Sequence, residues 1–197
     1  MVPSSDAPGE GQLIVSVEMT PLATPDFRPG KQPGIVHVIQ QRLTDVLLGC
    51  NVLQLTDLCI AEGQAVWVLY VDIYILNAAG SLLDTSLLAA VAALQDTRLP
   101  AVHMTEEGNV ERDGLEGVDQ ADAAAAAEAV KTIPLQLHGT PLSLTCGVYK
   151  QQQILADPDH EEEGLMAASI TVVVDEQHNL LGERGDQLGT LEPGFKN

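Results

Sequence analysis

An α+β sandwich is the architecture this 197-residue sequence predicts, and three observations carry that reading. Residues 63–99 hold a β-branched and aromatic run, Val66-Trp67-Val68-Leu69-Tyr70-Val71 and Ile73-Tyr74-Ile75-Leu76 around Asp72, then the turn Asn77-Ala78-Ala79-Gly80. With almost no polar alternation, that run predicts a strand buried on both faces. From Ser81 to Leu94 apolar residues go round every face, which predicts a helix sandwiched between layers. A second helix of amphipathic character after Pro33, with strands on either side of this centre, completes a mixture that suits α+β packing.

Composition sets the next bounds. Hydrophobic residues make up 45% and aromatics 3%, so a core of one-domain size is filled by Leu, Val, Ile and Ala. The net charge is −19, from 28 acidic and nine basic residues, no two of the latter adjacent. Non-specific nucleic-acid binding needs clustered Lys and Arg; this chain alone has no such patch, and if it meets RNA it must do so beside more basic neighbours. Cys50, Cys59 and Cys146 are odd in number and lack Cys-x-x-Cys spacing, a pattern of reduced thiols in the cytosol or nucleus. They read as small buried hydrophobes in preference to metal or redox groups. No apolar run approaches the ~20 residues of a membrane span, and MVPSSDAPGEG has neither the charged nor the apolar region of a secretory signal.

Taken in order, residues 1–11 are Pro, Ser, Gly and acid and read as a disordered leader. Gln12 to Met19 alternates as a strand, and Thr20 to Gly34, with four Pro and two Gly, is a loop. The helix after Pro33 carries Ile35, Ile39, Leu43 and Val46-Leu47 on one side, with His37, Gln40, Gln41 and Thr44 largely opposite, and stops at Gly49. Asn51 to Ile60 is expected to be extended, and Ala101 to Met104 a short strand after Leu99-Pro100. Residues 105–131, rich in acid, Gly and Ala, lack a Leu or Ile stripe and form a solvated insertion. Strands return from Ile133: Leu142 to Tyr149, Ile154-Leu155, and Ile170 to Val174, which turns at Asp175 to Asn179 into Leu180-Leu181. The remainder is a polar, loop-like tail.

The conspicuous polar feature is Asp157-Pro158-Asp159-His160-Glu161-Glu162-Glu163. Such a density of carboxylates could serve Mg²⁺ or acid–base chemistry, but the acidic first turn of a helix, facing the positive end of its dipole, is the preferred reading. Its Gly and closing acid fall at the wrong offsets for a calcium loop. Asp72 and Asp84 flank the central turn. Asp84 suits a helix cap or a bond to turn amides, whereas Asp72 suits either a paired buried site or a solvent-facing edge. The histidines are scattered, so no metal or cofactor is assigned. No phosphate loop or nucleophile elbow is present.

Together, MTPLATPDFRPG, a helix, LCIAEGQAVWVLYVDIYILNAAGSLLDTSLLAAVAAL, LSLTCGVY, ILADPDHEEE and ITVVVDE resemble the RNase PH family. More narrowly they are similar to the non-catalytic RNase PH-like ring subunits of the eukaryotic RNA exosome, over roughly Gln12 to Leu181. The resemblance implies a fold like domain 2 of ribosomal protein S5, shortened at both ends. The family's opening strands and closing helix are missing, as in a partial gene model or short isoform. The expected organisation is a leader at 1–11, a domain at 12–182 with its insertion near 105–131, and a tail at 183–197.

Active family members cleave RNA with phosphate, and the resemblance locates three departures. Leu82, after Gly80-Ser81, takes the place of the phosphate-binding Arg, and lacks its fork of donors. Gln41 and Asp45 stand where two RNA-handling Arg belong, and Ser169 stands for a further catalytic Asp. Asp157 and Asp159 survive as vestigial candidates. The resemblance therefore implies a structural subunit without catalysis or cofactor, acting in 3′ to 5′ RNA processing and decay, including rRNA maturation and mRNA decay. Its implied partners are other RNase PH-like ring subunits and S1/KH-type cap subunits, with RNA only in the assembled complex. Arg28, Lys31 and Arg42 are the candidate RNA contacts, and the nucleus, nucleolus and cytoplasm the expected location. The alternatives are an active phosphate-dependent 3′ to 5′ exoribonuclease using Asp157, Asp159 and Mg²⁺, and a shortened product that does not assemble.

Overall fold

The structure is a computed structural model, and it describes residues 1, 3, 7–25, 32–105, 108–113, 131–150 and 153–186. The chain divides into two compact units: Met1–Ile14, Leu53–Val71 and Ala92–His138 form the first, and Val15–Val52, Asp72–Val91 and Gly139–Asn197 the second. The boundary falls within β1 (Gln12–Met19), β4 (Val68–Ile75) and α2 (Leu82–Asp96). At one end of the β1–β4 pair the Gln12 amide donates to the Trp67 carbonyl, and at the other the Thr20 amide donates to that of Ile75. Equal steps along both strands make the pair parallel.

The first unit is built from short antiparallel pairs: β2 (Cys59–Ala61) with β3 (Ala65–Val66), β5 (Arg98–Pro100) with β8 (Thr132–Pro134), and β6 (Val102–Met104) with β7 (Val110–Arg112). Leu53, Leu58, Val66, Ala101 and Leu135 are buried here. Residues 7–11, which composition assigns to a leader, are engaged: the Gly11 amide donates to the Leu55 carbonyl and the Gly63 amide to that of Pro8. The expected extended segment at Asn51–Ile60 instead contains a 3₁₀ turn, Leu55–Leu58, that sinks Leu58 into the core. Of the 105–131 insertion, β7 is exposed along its length, and residues 114–130 lie outside those described.

The second unit holds α1 (Gly34–Thr44), which runs on through a π-helical turn to Gly49. Its buried stripe is Val36, Ile39, Leu43 and Leu47. Ile35, expected in that stripe, is nearly half exposed, because the 3.6-residue period sets Val36 on the face of Ile39, Leu43 and Leu47. A four-stranded antiparallel sheet in the order β10-β9-β11-β12 follows, from β9 (Leu142–Tyr149), β10 (Gln153–Ala156), β11 (Ala168–Val174) and β12 (Leu180–Asp186). Gly182 to Asp186, expected as loop, continue β12, because Val173 to Ser169 offer them a complete antiparallel partner.

Two expectations about the centre are corrected. Tyr70, Asp72 and Tyr74 on β4 are exposed, alternating with the partly or fully buried Val71, Ile73 and Ile75, so the strand is half-covered despite its apolar sequence. On α2, Ser86, Leu87, Ala90, Val91 and Leu94 are buried, while Leu88, Ala89, Ala92 and Ala93 face out. The helix is therefore covered on one side only.

Sheet register decides what the second unit offers. Thr171 pairs with Thr145, Ser169 with Gly147 and Val173 with Ser143, which sets small and hydroxylic side chains on one face. Alternation sends Leu142, Leu144, Ile170 and Val172 to the other, where Leu142, Leu144 and Ile170 are each about half exposed. The polarity of this sheet is thus inverted relative to a usual solvent-facing one.

Candidate functional site

The hydroxylic face of the sheet forms one wall of a cleft of about 150 Å³. Thr145 comes from β9, and Ser169 and Thr171 from β11. Opposite stand Ile35, Val38, Ile39 and Arg42 of α1, the turn Ser81-Leu82-Leu83 opening α2, and Glu163. The Thr145 and Thr171 hydroxyls are 2.9 Å apart as a directly opposed cross-strand pair. Among the lining residues Arg42 and Glu163 carry charge.

The turn at the mouth of α2 is locked in place. Gly80 has φ +126°, and a Cβ there would lie 2.6 Å from the Pro158 carbonyl oxygen, so this close approach admits only glycine. Gly80 bridges to Asp159, and the His160 amide donates to the Ala79 carbonyl at 2.9 Å. Ser81 follows with φ +43° and is buried. Its amide, at the positive end of a fifteen-residue helix, donates to Glu163 Oε1 at 2.9 Å.

The acidic run therefore does structural work. Asp159 is the N-cap of a short helix, α3 (His160–Glu163), and accepts from the Glu162 amide while Glu162 accepts from the Asp159 amide, a reciprocal capping box. Asp157 is exposed in a left-handed conformation, and neither Asp157 nor Asp159 lines the cleft. Among the described residues no three His, Cys, Asp or Glu side chains converge as a metal set, and Asp159 Oδ1 accepts the Glu162 amide.

Asp84 serves neither as helix cap nor as turn bond: its Oδ2 accepts the Thr145 amide of β9 at 2.6 Å, tying α2 to the sheet, while its Oδ1 is buried without a partner. Asp72 faces solvent. Of the candidate RNA contacts, Arg42 reaches the cleft, whereas Arg28 and Lys31 lie outside the described residues. Gln41 and Asp45 are exposed and outside the lining. The structure does bring Leu82 and Ser169, two of the three departures, to the walls of one cleft. Sequence reasoning missed Glu163 as a lining residue, since it was one acid among several. It also missed Thr145 and Thr171, whose signal is only their place on alternating strands.

The α+β scaffold that holds this cleft matches the RNase PH family. Residues 1–100 match domain 1 of the 3′ exoribonuclease family (RNase PH), and residues 139–183 match its domain 2. The chain belongs to this family. It is 33% identical over 179 residues to exosome complex component rrp43 of Schizosaccharomyces pombe, covering 91% of this chain and 61% of that protein. Exosome complex component Rrp42 of Methanopyrus kandleri is 30% identical over 187 residues, covering 95% and 64%. Among solved structures, one of the Archaeoglobus fulgidus exosome with RNA bound to the active site has a TM-score of 0.74 at 27% identity, covering 98% of this chain and 66% of that one. The chain thus spans about six-tenths of the length of the curated relatives it matches.

Proposed function

We propose that this chain acts as a structural, non-catalytic subunit of an RNA exosome ring, supporting 3′ to 5′ RNA processing and degradation. The observation that carries this is the cleft itself: Leu82 and Ser169 stand on its walls, and the one carboxylate lining it, Glu163, is spent on the Ser81 amide. Phosphorolysis needs donors for an oxyanion and a group to protonate the leaving oxygen; Leu82 offers no donor and Ser169 no carboxyl group, which leaves Arg42 as the one cation lining the cleft. Ring membership is supported by the names of the relatives and by bare apolar surface. Leu142, Leu144, Ile170 and Leu180 on the sheet, and Tyr70, Tyr74 and Leu76 on and after β4, are all exposed by 42% or more, as on a subunit whose faces are meant for neighbours.

In this reading its partners are other RNase PH-like subunits and S1/KH-type cap proteins, in the nucleus, nucleolus and cytoplasm. RNA is met only within the assembly, because a net charge of −19 disfavours its approach to the isolated chain. Incubation of the purified chain with single-stranded RNA, inorganic phosphate and Mg²⁺ tests this: no nucleoside diphosphates are expected. Sustained release that is abolished by Asp157→Asn or Asp159→Asn would overturn it in favour of the exoribonuclease. Tagged chain expressed in its own cells should co-purify with ring subunits, and recovery with chaperones alone would speak for a product that does not assemble.

A further inference from the structure

We infer that Glu163 is an internal anion, a specificity-determining side chain that closes the mouth of the cleft to free oxyanions. This goes beyond the loss of catalytic side chains and rests on the same reading of the cleft as idle. The Ser81 amide is held by the left-handed Gly80-Ser81 turn at the start of α2. An amide so placed is where an anion is favoured, and it already has one, the Glu163 carboxylate at 2.9 Å. The carboxylate is delivered by a rigid mount. The capping box fixes the start of α3, the Glu163 amide donates to the Asp159 carbonyl at 2.8 Å, and the Gly80–Asp159 bridge pins that end of α3 to the turn. Glu163 is partly buried and lines the cleft beside Leu82, with Arg42 the other charged lining residue, so an oxyanion approaching the Ser81 amide meets a fixed negative charge already seated there. The carboxylate satisfies the donor and repels its competitor at once.

Substitution separates this from a cleft that is merely missing an arginine. Glu163→Gln keeps an oxygen for the Ser81 amide and removes the charge, and Leu82→Arg supplies a guanidinium at the adjacent position. Inorganic phosphate is titrated into the full chain, following the Ser81 amide resonance and thermal stability, with chloride at matched ionic strength as control. The expected result is that wild type and Leu82→Arg show no saturable phosphate response, because the new arginine pairs with Glu163. The double variant Leu82→Arg with Glu163→Gln should bind phosphate at least ~10-fold more tightly than Leu82→Arg alone, a difference worth about 1.4 kcal/mol. Equal binding by Leu82→Arg with and without Glu163→Gln would overturn the inference, as would the same gain when Glu162→Gln replaces Glu163→Gln. Neither outcome bears on catalysis, which the nucleoside diphosphate assay reads separately.

Discussion

Gly80 shows how much a single position decides. With φ +126° and Pro158 and Asp159 backbone atoms within 3 Å of where a Cβ would sit, Gly80→Ala should destabilise the chain by about 2 kcal/mol or more, read as a lower urea midpoint at unchanged slope. Asp175 is a contrasting case, an exposed residue with a clear electrostatic signature. Its carboxylate accepts from the Asn179 side chain and from the Asn179 and Gln177 amides, and the Asn179 side-chain bond is the main cause that holds its pKa below the ordinary value of 3.8. A folded-state value below the unfolded one makes this group stabilising above the unfolded pKa, and that contribution is lost as pH falls through the folded value. Asp175→Asn should therefore lower stability at neutral pH and flatten the acid limb of the stability–pH curve below pH ~4, so that the two proteins converge in acid. Asp175 to Asn179 was legible as a turn because Asp and Asn bond their own backbone. The role of Asp84 was not legible, since its partner is a strand amide sixty-one residues away, and no local pattern encodes such a distance.

At the scale of elements, the capping box of α3 makes the clearest statement. Asp159→Ala removes the acceptor for the Glu162 amide and should cost roughly 1 kcal/mol. A thermal melt checks this, and ring incorporation serves as a second readout that should be unchanged. The boundaries of β1 and β9 were readable from alternation, and Gly49 marked the end of the helical segment that α1 begins. The exposure of β4 and α2 was not, for a physical reason. An apolar sequence states what an element would gain from burial, while actual cover depends on what lies against it, and here Tyr70, Tyr74 and Leu88 lack it. The same separation explains why Leu82 and Ser169 could be named by resemblance, whereas their convergence with Thr145 and Glu163 in one cleft needed the register of β9 against β11.

For the whole molecule, charge and chain topology dominate. With 28 acidic residues against nine basic, compact states carry a self-repulsion that salt screens. Thermal stability should rise as sodium chloride increases from low to physiological ionic strength, and a fall would show that attractive pairs outweigh the repulsion. The parallel pairing of β1 with β4 bears on how the molecule reaches its native state. Gln12 must find Trp67 and Thr20 must find Ile75 across a long intervening segment, whereas β9 and β10 pair with only a few residues between them in the sequence. Closing a large loop costs entropy before any contact repays it, so hairpins should precede the parallel pair. In pulse-labelled hydrogen exchange during refolding, amides of β9 and β10 should gain protection first and the amide of Gln12 late. A chain emerging from the ribosome would then hold an unpaired β1 until β4 has been made.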